Sequence, residues 1–75
     1  MDTNKVKIYV PLLNEGTDVI RPTEGYLVRP GIYVLLPTPD YDPACEEWAF
    51  LPGSMVSCGN EIREGKQVTV AQRLA

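Results

Sequence analysis

Four carboxylates, Asp40, Asp42, Glu46 and Glu47, fall within eight residues that contain no base. They are the first place to look for proton-transfer or metal chemistry. Glu46 and Glu47 are neighbours, and in an extended chain neighbouring side chains point to opposite faces, so the two cannot share one substrate proton. Asp40 and Asp42 share a face if the chain is extended. Each also stands beside a proline, Pro39 or Pro43, where a short acid acts as a turn-former. Read without chemistry, the cluster is a solvated negative loop.

The residues that would complete a catalytic arrangement are missing. There is no histidine, which removes Ser-His and Cys-His nucleophile pairs and the commonest metal ligand together. Cys45 and Cys58 are thirteen residues apart, and neither has the close Cys or His neighbour that zinc ligation requires. A disulfide between them is open on spacing, but a reducing cytosol favours two free thiols, Cys58 as a small core residue and Cys45 in a loop. Glycines 16, 25, 31, 53, 59 and 65 are too dispersed to cradle a phosphate. The expectation is a protein that is not an enzyme, with no catalytic residues, no metal and no cofactor.

Ten acidic residues against seven basic ones leave a net charge of −3, so the chain as a whole repels nucleic-acid backbones, and nucleic acid is not expected as a partner. The bases, Lys5, Lys7, Arg21, Arg29, Arg63, Lys66 and Arg73, form no dense cluster in sequence, although a fold can gather some of them. No apolar run approaches the roughly 18 residues of a spanning helix. Met1-Asp2-Thr3-Asn4 lacks the basic start and apolar core of a secretory leader. A cytoplasmic location, with no membrane association, is the default expectation.

The elements that must position these groups are short. Val6, Ile8 and Val10 alternate with Lys5, Lys7 and Tyr9, the period of a half-buried strand, and Pro11 is expected to end it by lacking an N–H. In "VPLLNEGTDVIRP", Asn14-Glu15-Gly16 has the composition of a turn with glycine in the left-handed position. The chain extends again from Val19 because Pro22 holds its predecessor out of helical space. Arg21 would then sit exposed at a barrel rim, serving a partner or nothing. Gly25 to Val28 leads into Pro30-Gly31, a type II turn, and then Ile32-Tyr33-Val34-Leu35-Leu36, the most strand-like run. Residues 37–46, "PTPDYDPACE", are aperiodic. Trp48 and Phe50 share a face, Pro52-Gly53 turns, Met55 to Cys58 extends, Gly59 to Gly65 is polar, and Lys66 to Ala71 alternates. No segment has helical spacing over ten residues. The core expected is Val6, Ile8, Val10, Ile32, Val34, Trp48, Phe50, Val56, Val68 and Val70.

Short strands punctuated every 8 to 12 residues predict one all-β domain spanning 1–75, a small barrel or sandwich with little or no helix. "VPLLNEGTDVIRP" and "EEWAFLPGSMVSC" together resemble a group of small uncharacterised bacterial proteins sharing a "VPLLxEGTxVxRP" opening and an "EWxFxPGxxVxC" segment. The resemblance covers about 26 of the 75 residues, and Ile20 stands where the pattern has an aromatic. It implies an SH3-like barrel, here of five or six short antiparallel strands, and brings no catalytic residues.

The aromatics are the natural anchors of an interaction surface. If Val6, Ile8 and Val10 face inward, Tyr9 faces out. If Ile32, Val34 and Leu36 face inward, Tyr33 also faces out. The two tyrosines then make an amphipathic patch or merely cover the outer wall. The loop from Pro37 to Glu47 is longer than an ordinary connection. Tyr41, ringed by Asp40, Asp42, Glu46 and Glu47 and flanked by Arg21, is either an anchor for a basic or amphipathic peptide or a plug over one barrel end. The function expected is a noncatalytic protein-binding or accessory module. The alternative is an acidic inhibitor or immunity-type protein that neutralises a basic toxin or nuclease.

Overall fold

The computed structural model describes residues 4–15 and 19–74. Gly16, expected in the left-handed turn position, and Met1 to Thr3, read above for a leader, lie outside them. The described residues form six strands, β1 (Lys5–Leu13), β2 (Ile20–Arg29), β3 (Ile32–Leu36), β4 (Glu47–Trp48), β5 (Met55–Arg63) and β6 (Lys66–Gln72), and no helix. Accordingly, none is long and apolar enough to cross a membrane.

β1, β2, β3, β5 and β6 pair in that order and close into a ring, so the fold is the small all-β barrel expected. It departs from an all-antiparallel sheet at one place. β6 meets β1 in parallel at Tyr9↔Val70, because a five-strand up-and-down ring brings its first and last strands together running the same way. The short β4 attaches outside this order, pairing Leu12↔Trp48 at the far end of β1.

The prolines do not end the strands. Leu12 N–H donates to Val19 O (2.9 Å) and Leu27 N–H to Asn4 O (2.8 Å), so the even-numbered residues of β1 form the hydrogen-bonded pairs with β2. Pro11 pairs with Ile20 and Pro22 with Tyr9. Both occupy the alternate pairs, where an N–H would not join this ladder and its loss costs nothing there.

That same register decides what faces the core. Val6, Ile8 and Val10 stand opposite Gly25, Thr23 and Arg21 on the inner face. Ile8 and Val10 are completely buried and Val6 packs against them. Gly25 is a close-approach glycine: a Cβ there would lie 2.3 Å from Ile8 Cδ1. The inner phase then passes across the sheet through Gly25↔Leu35, Leu27↔Tyr33 and Tyr33↔Val56.

It follows that β3 is turned over relative to expectation. Leu35 is completely buried and Tyr33 packs against the core, whereas Ile32, Val34 and Leu36 are only half-buried. Tyr33 therefore does not face outward with Tyr9. A strand apolar on both faces carries no phase of its own, and its neighbours impose one. Between Leu27 and Arg29 the β2–β3 register shifts by a bulge, leading into the Pro30-Gly31 turn with Gly31 at φ +80°.

β5 also runs further than its apolar residues suggest. Gly59 to Arg63 continue the strand to a two-residue turn, Glu64-Gly65, with φ of +51° and +77°. Positive φ at both positions is the geometry that suits a tight hairpin. The expected turn at Pro52-Gly53 is present, with Gly53 at φ +91° and Ser54 N–H donating to Leu51 O at 3.0 Å. Trp48, Leu35, Val56, Ala71, Ile8 and Val10 make the core, with Phe50, Tyr41 and Cys58 packed on it. Val70 is buried too, while Val68 is only half-buried.

Candidate functional site

The acidic loop lies over one mouth of the barrel and is tied to it from within the chain. Arg21 has the inner phase of β2, as Thr23 and Gly25 do, but stands at the strand's start, where the core ends. Its Nε donates to Glu46 Oε1 at 3.0 Å, and its Nη2 lies 3.7 Å from Asp40 Oδ2. Glu46 Oε1 accepts a second bond from Trp48 Nε1 at 2.9 Å. One carboxylate oxygen thus satisfies the indole N–H of a buried tryptophan and pairs a guanidinium. The indole hydrogen bond first, then Arg21, hold the Glu46 carboxyl below the usual carboxylate range, against the opposing effect of burial and of Asp40. Glu46 in turn raises the Arg21 guanidinium.

The other loop groups are engaged as well. Tyr41 packs edge-on against Trp48, ring centroids 4.8 Å apart at 69°. Asp42 shapes one tight turn: its Oδ1 accepts Ala44 N–H at 2.9 Å, and its carbonyl accepts Cys45 N–H at 2.9 Å and Glu46 N–H at 3.1 Å. The exposed Cys45 thiol donates to Asp42 Oδ2 at 3.3 Å, and that bond to a negative neighbour raises the thiol above its ordinary value. Cys58 is half-buried, and burial raises it. Glu47 accepts the Asn14 side-chain amide. Asn14 itself takes the left-handed conformation, φ +60°. Of the residues expected to surround a ligand at this mouth, Arg21, Tyr41, Asp42, Glu46 and Glu47 are brought together but bound to one another or to the barrel. Asp40, three-quarters exposed, has among the described residues a long contact with Arg21.

A second region was not legible as a site. β6 pairs with β5 along its whole length but with β1 only at Tyr9↔Val70. Among the described residues, the seam between β1 and β6 therefore has no ladder pair from Lys66 to Thr69. Two adjoining hollows lie along it. One, of about 490 Å³, is lined by Tyr9, Ile20, Arg63, Glu64, Lys66 and Val68. The other, of about 380 Å³, shares Tyr9, Lys66 and Val68 and adds Lys7, Gln67 and Thr69. Tyr9 faces outward as expected, and Lys7 Nζ stands 5.3 Å from its ring centroid, within cation–π range. Arg63 is steadied by Glu61, with Nη2 at 2.9 Å from Oε1. Three of the seven bases meet here, Arg63 paired with Glu61, against one lining acid among the described residues, Glu64, in a chain of net charge −3. Only the outward phase of Tyr9 pointed this way in the sequence. Lys7 and Lys66 belong to opposite ends of the chain, and ring closure is what joins them.

A third exposed feature is the cross-strand row Tyr26↔Val34↔Met55 on the outer wall, with Tyr26 39% and Met55 56% exposed. Among the described residues, no group of three or more His, Cys, Asp or Glu is placed to hold a metal ion.

Compared with models of protein families, with characterised proteins and with solved structures, the chain matches none.

Proposed function

We propose that the chain is a noncatalytic module, working in the cytoplasm, that binds a protein partner along the open β1–β6 seam. The observation that supports this reading is the composition of the seam. It combines an aromatic face, an aliphatic floor from Ile20 and Val68, and flanking cations, the mixture of apolar anchor and polar rim that interfaces use. Two of the acids that would suit an inhibitor of a basic toxin, Asp42 and Glu46, are engaged in holding the loop and the barrel mouth, which favours the binding module over that alternative. The test is retention of a partner from native lysate by the immobilised full chain and by its Tyr9→Ser variant. The expected result is a protein held by the wild type and released by a variant with unchanged melting temperature. Equal retention by both would overturn the reading.

A further inference from the structure

Resting on that reading, we infer that the seam takes an extended, acidic segment of the partner, which adds as a strand to the open edge of β6. Two independent observations carry this. First, among the described residues the stretch Lys66–Thr69 has a ladder partner on the β5 side only, since β1 pairs with β6 at Val70 alone. A strand edge presents backbone donors and acceptors that an extended chain satisfies, and affinity in this mode comes from main-chain hydrogen bonds. Second, the exposed side chains around that edge include two lysines, Lys7 and Lys66, with Glu64 the opposing lining charge among the described residues and Arg63 already paired with Glu61.

Charge complementarity therefore selects a segment rich in Asp or Glu. The alternating geometry of a strand asks for more. Residues on one face of the guest meet Tyr9, Val68 and Ile20, so apolar or β-branched residues belong there, with the acids placed to reach the cations. A nucleic-acid backbone matches the cations but neither the unpaired strand edge nor the aliphatic floor.

The probe is a synthetic octapeptide alternating glutamate with valine, carrying a fluorophore and titrated with the full chain while anisotropy is read. Binding is expected, weakening as salt rises, because exposed charges are screened over about 10 Å at 0.1 M ionic strength. Lys66→Glu and Lys7→Glu are each expected to weaken it by about tenfold, which corresponds to about 1.4 kcal/mol, with unchanged melting temperature. A lysine–valine octapeptide is expected not to bind. The glutamate peptide N-methylated at alternate residues is expected to lose binding, since it keeps the charge but not the backbone donors. No binding of the glutamate peptide, equal binding of the lysine or N-methylated peptide, or tighter binding of a single-stranded oligonucleotide would each overturn the inference. If the glutamate peptide fails while Tyr9→Ser still releases the lysate partner, this inference falls and the binding-module reading stands.

Discussion

At the barrel mouth and along the seam the chain treats charge in opposite ways. At the mouth, Glu46 neutralises Arg21 and satisfies the Trp48 indole with one oxygen, and Tyr41 lies against the same tryptophan. The contacts of Glu46 and Tyr41 there point inward, onto Trp48. Along the seam, Lys7 and Lys66 stand at the surface beside Tyr9. Within the acidic run, Glu46 is held by Arg21 and the Trp48 indole, whereas Lys7 and Lys66 among the dispersed bases are exposed. Local density of charge is a poor guide to availability, because a counter-charge distant in sequence can consume it.

The largest effect that would sharpen this contrast is at Trp48, which is 2% exposed. Trp48→Ala is expected to cost about 3–5 kcal/mol in urea unfolding and to release Tyr41. A loss under about 1 kcal/mol would mean the mouth is not anchored there. Glu46→Leu leaves the buried indole N–H without its acceptor, an expected cost of about 1–3 kcal/mol, again read from the urea midpoint.

The same carboxylate predicts a pH dependence. Its folded value is depressed, so its contribution is present above the ordinary carboxylate value of 4.5 and is lost as pH falls through the lower folded value. The stability gap between wild type and Glu46→Gln should be constant near neutrality and close below that point. A gap that widens in acid would contradict the assignment. Asp42→Asn, which removes the negative acceptor beside Cys45, should speed alkylation of Cys45 at mildly alkaline pH relative to Cys58, as read by peptide mapping. The smallest effect is expected at the seam. Lys7→Glu and Lys66→Glu should leave stability within about 0.5 kcal/mol, and a large loss at either would show that the seam cations are structural after all.

How far these regions could be read in advance depended on whether a strand carried its own phase. In β1 the alternation of Lys5, Lys7 and Tyr9 with Val6, Ile8 and Val10 states which face is buried, and the structure agrees. β3 has no polar residue to mark a face, so its orientation was decided by Gly25, opposite Leu35, and by the bulge near Val28. Inverting it moved Tyr33 from the outer wall to the core-facing side, where it is half-buried against the core. Gly59 to Gly65 read only as polar, because a hairpin arm reaching beyond the core needs little hydrophobicity. Its signal was the Glu64-Gly65 pair rather than its composition. The long loop was legible as a loop and Tyr41 as its central aromatic. Arg21 was also expected to flank it, but its pairing with Glu46 was not legible, since the two meet through the inner phase of β2.

Closing the ring with a parallel pair also has a consequence for how the chain assembles. Positions 9 and 70 lie near opposite ends of the sequence, so the last join in the barrel carries the greatest loop-closure entropy and is expected late in folding. Until it forms, β1 keeps a bare flank for most of its length, holding only β2 and the two-residue β4. During synthesis that flank is exposed from the moment β1 emerges until β6 arrives. A chain cut before Lys66 would carry the exposure permanently, and it should self-associate more than the chain that carries β6.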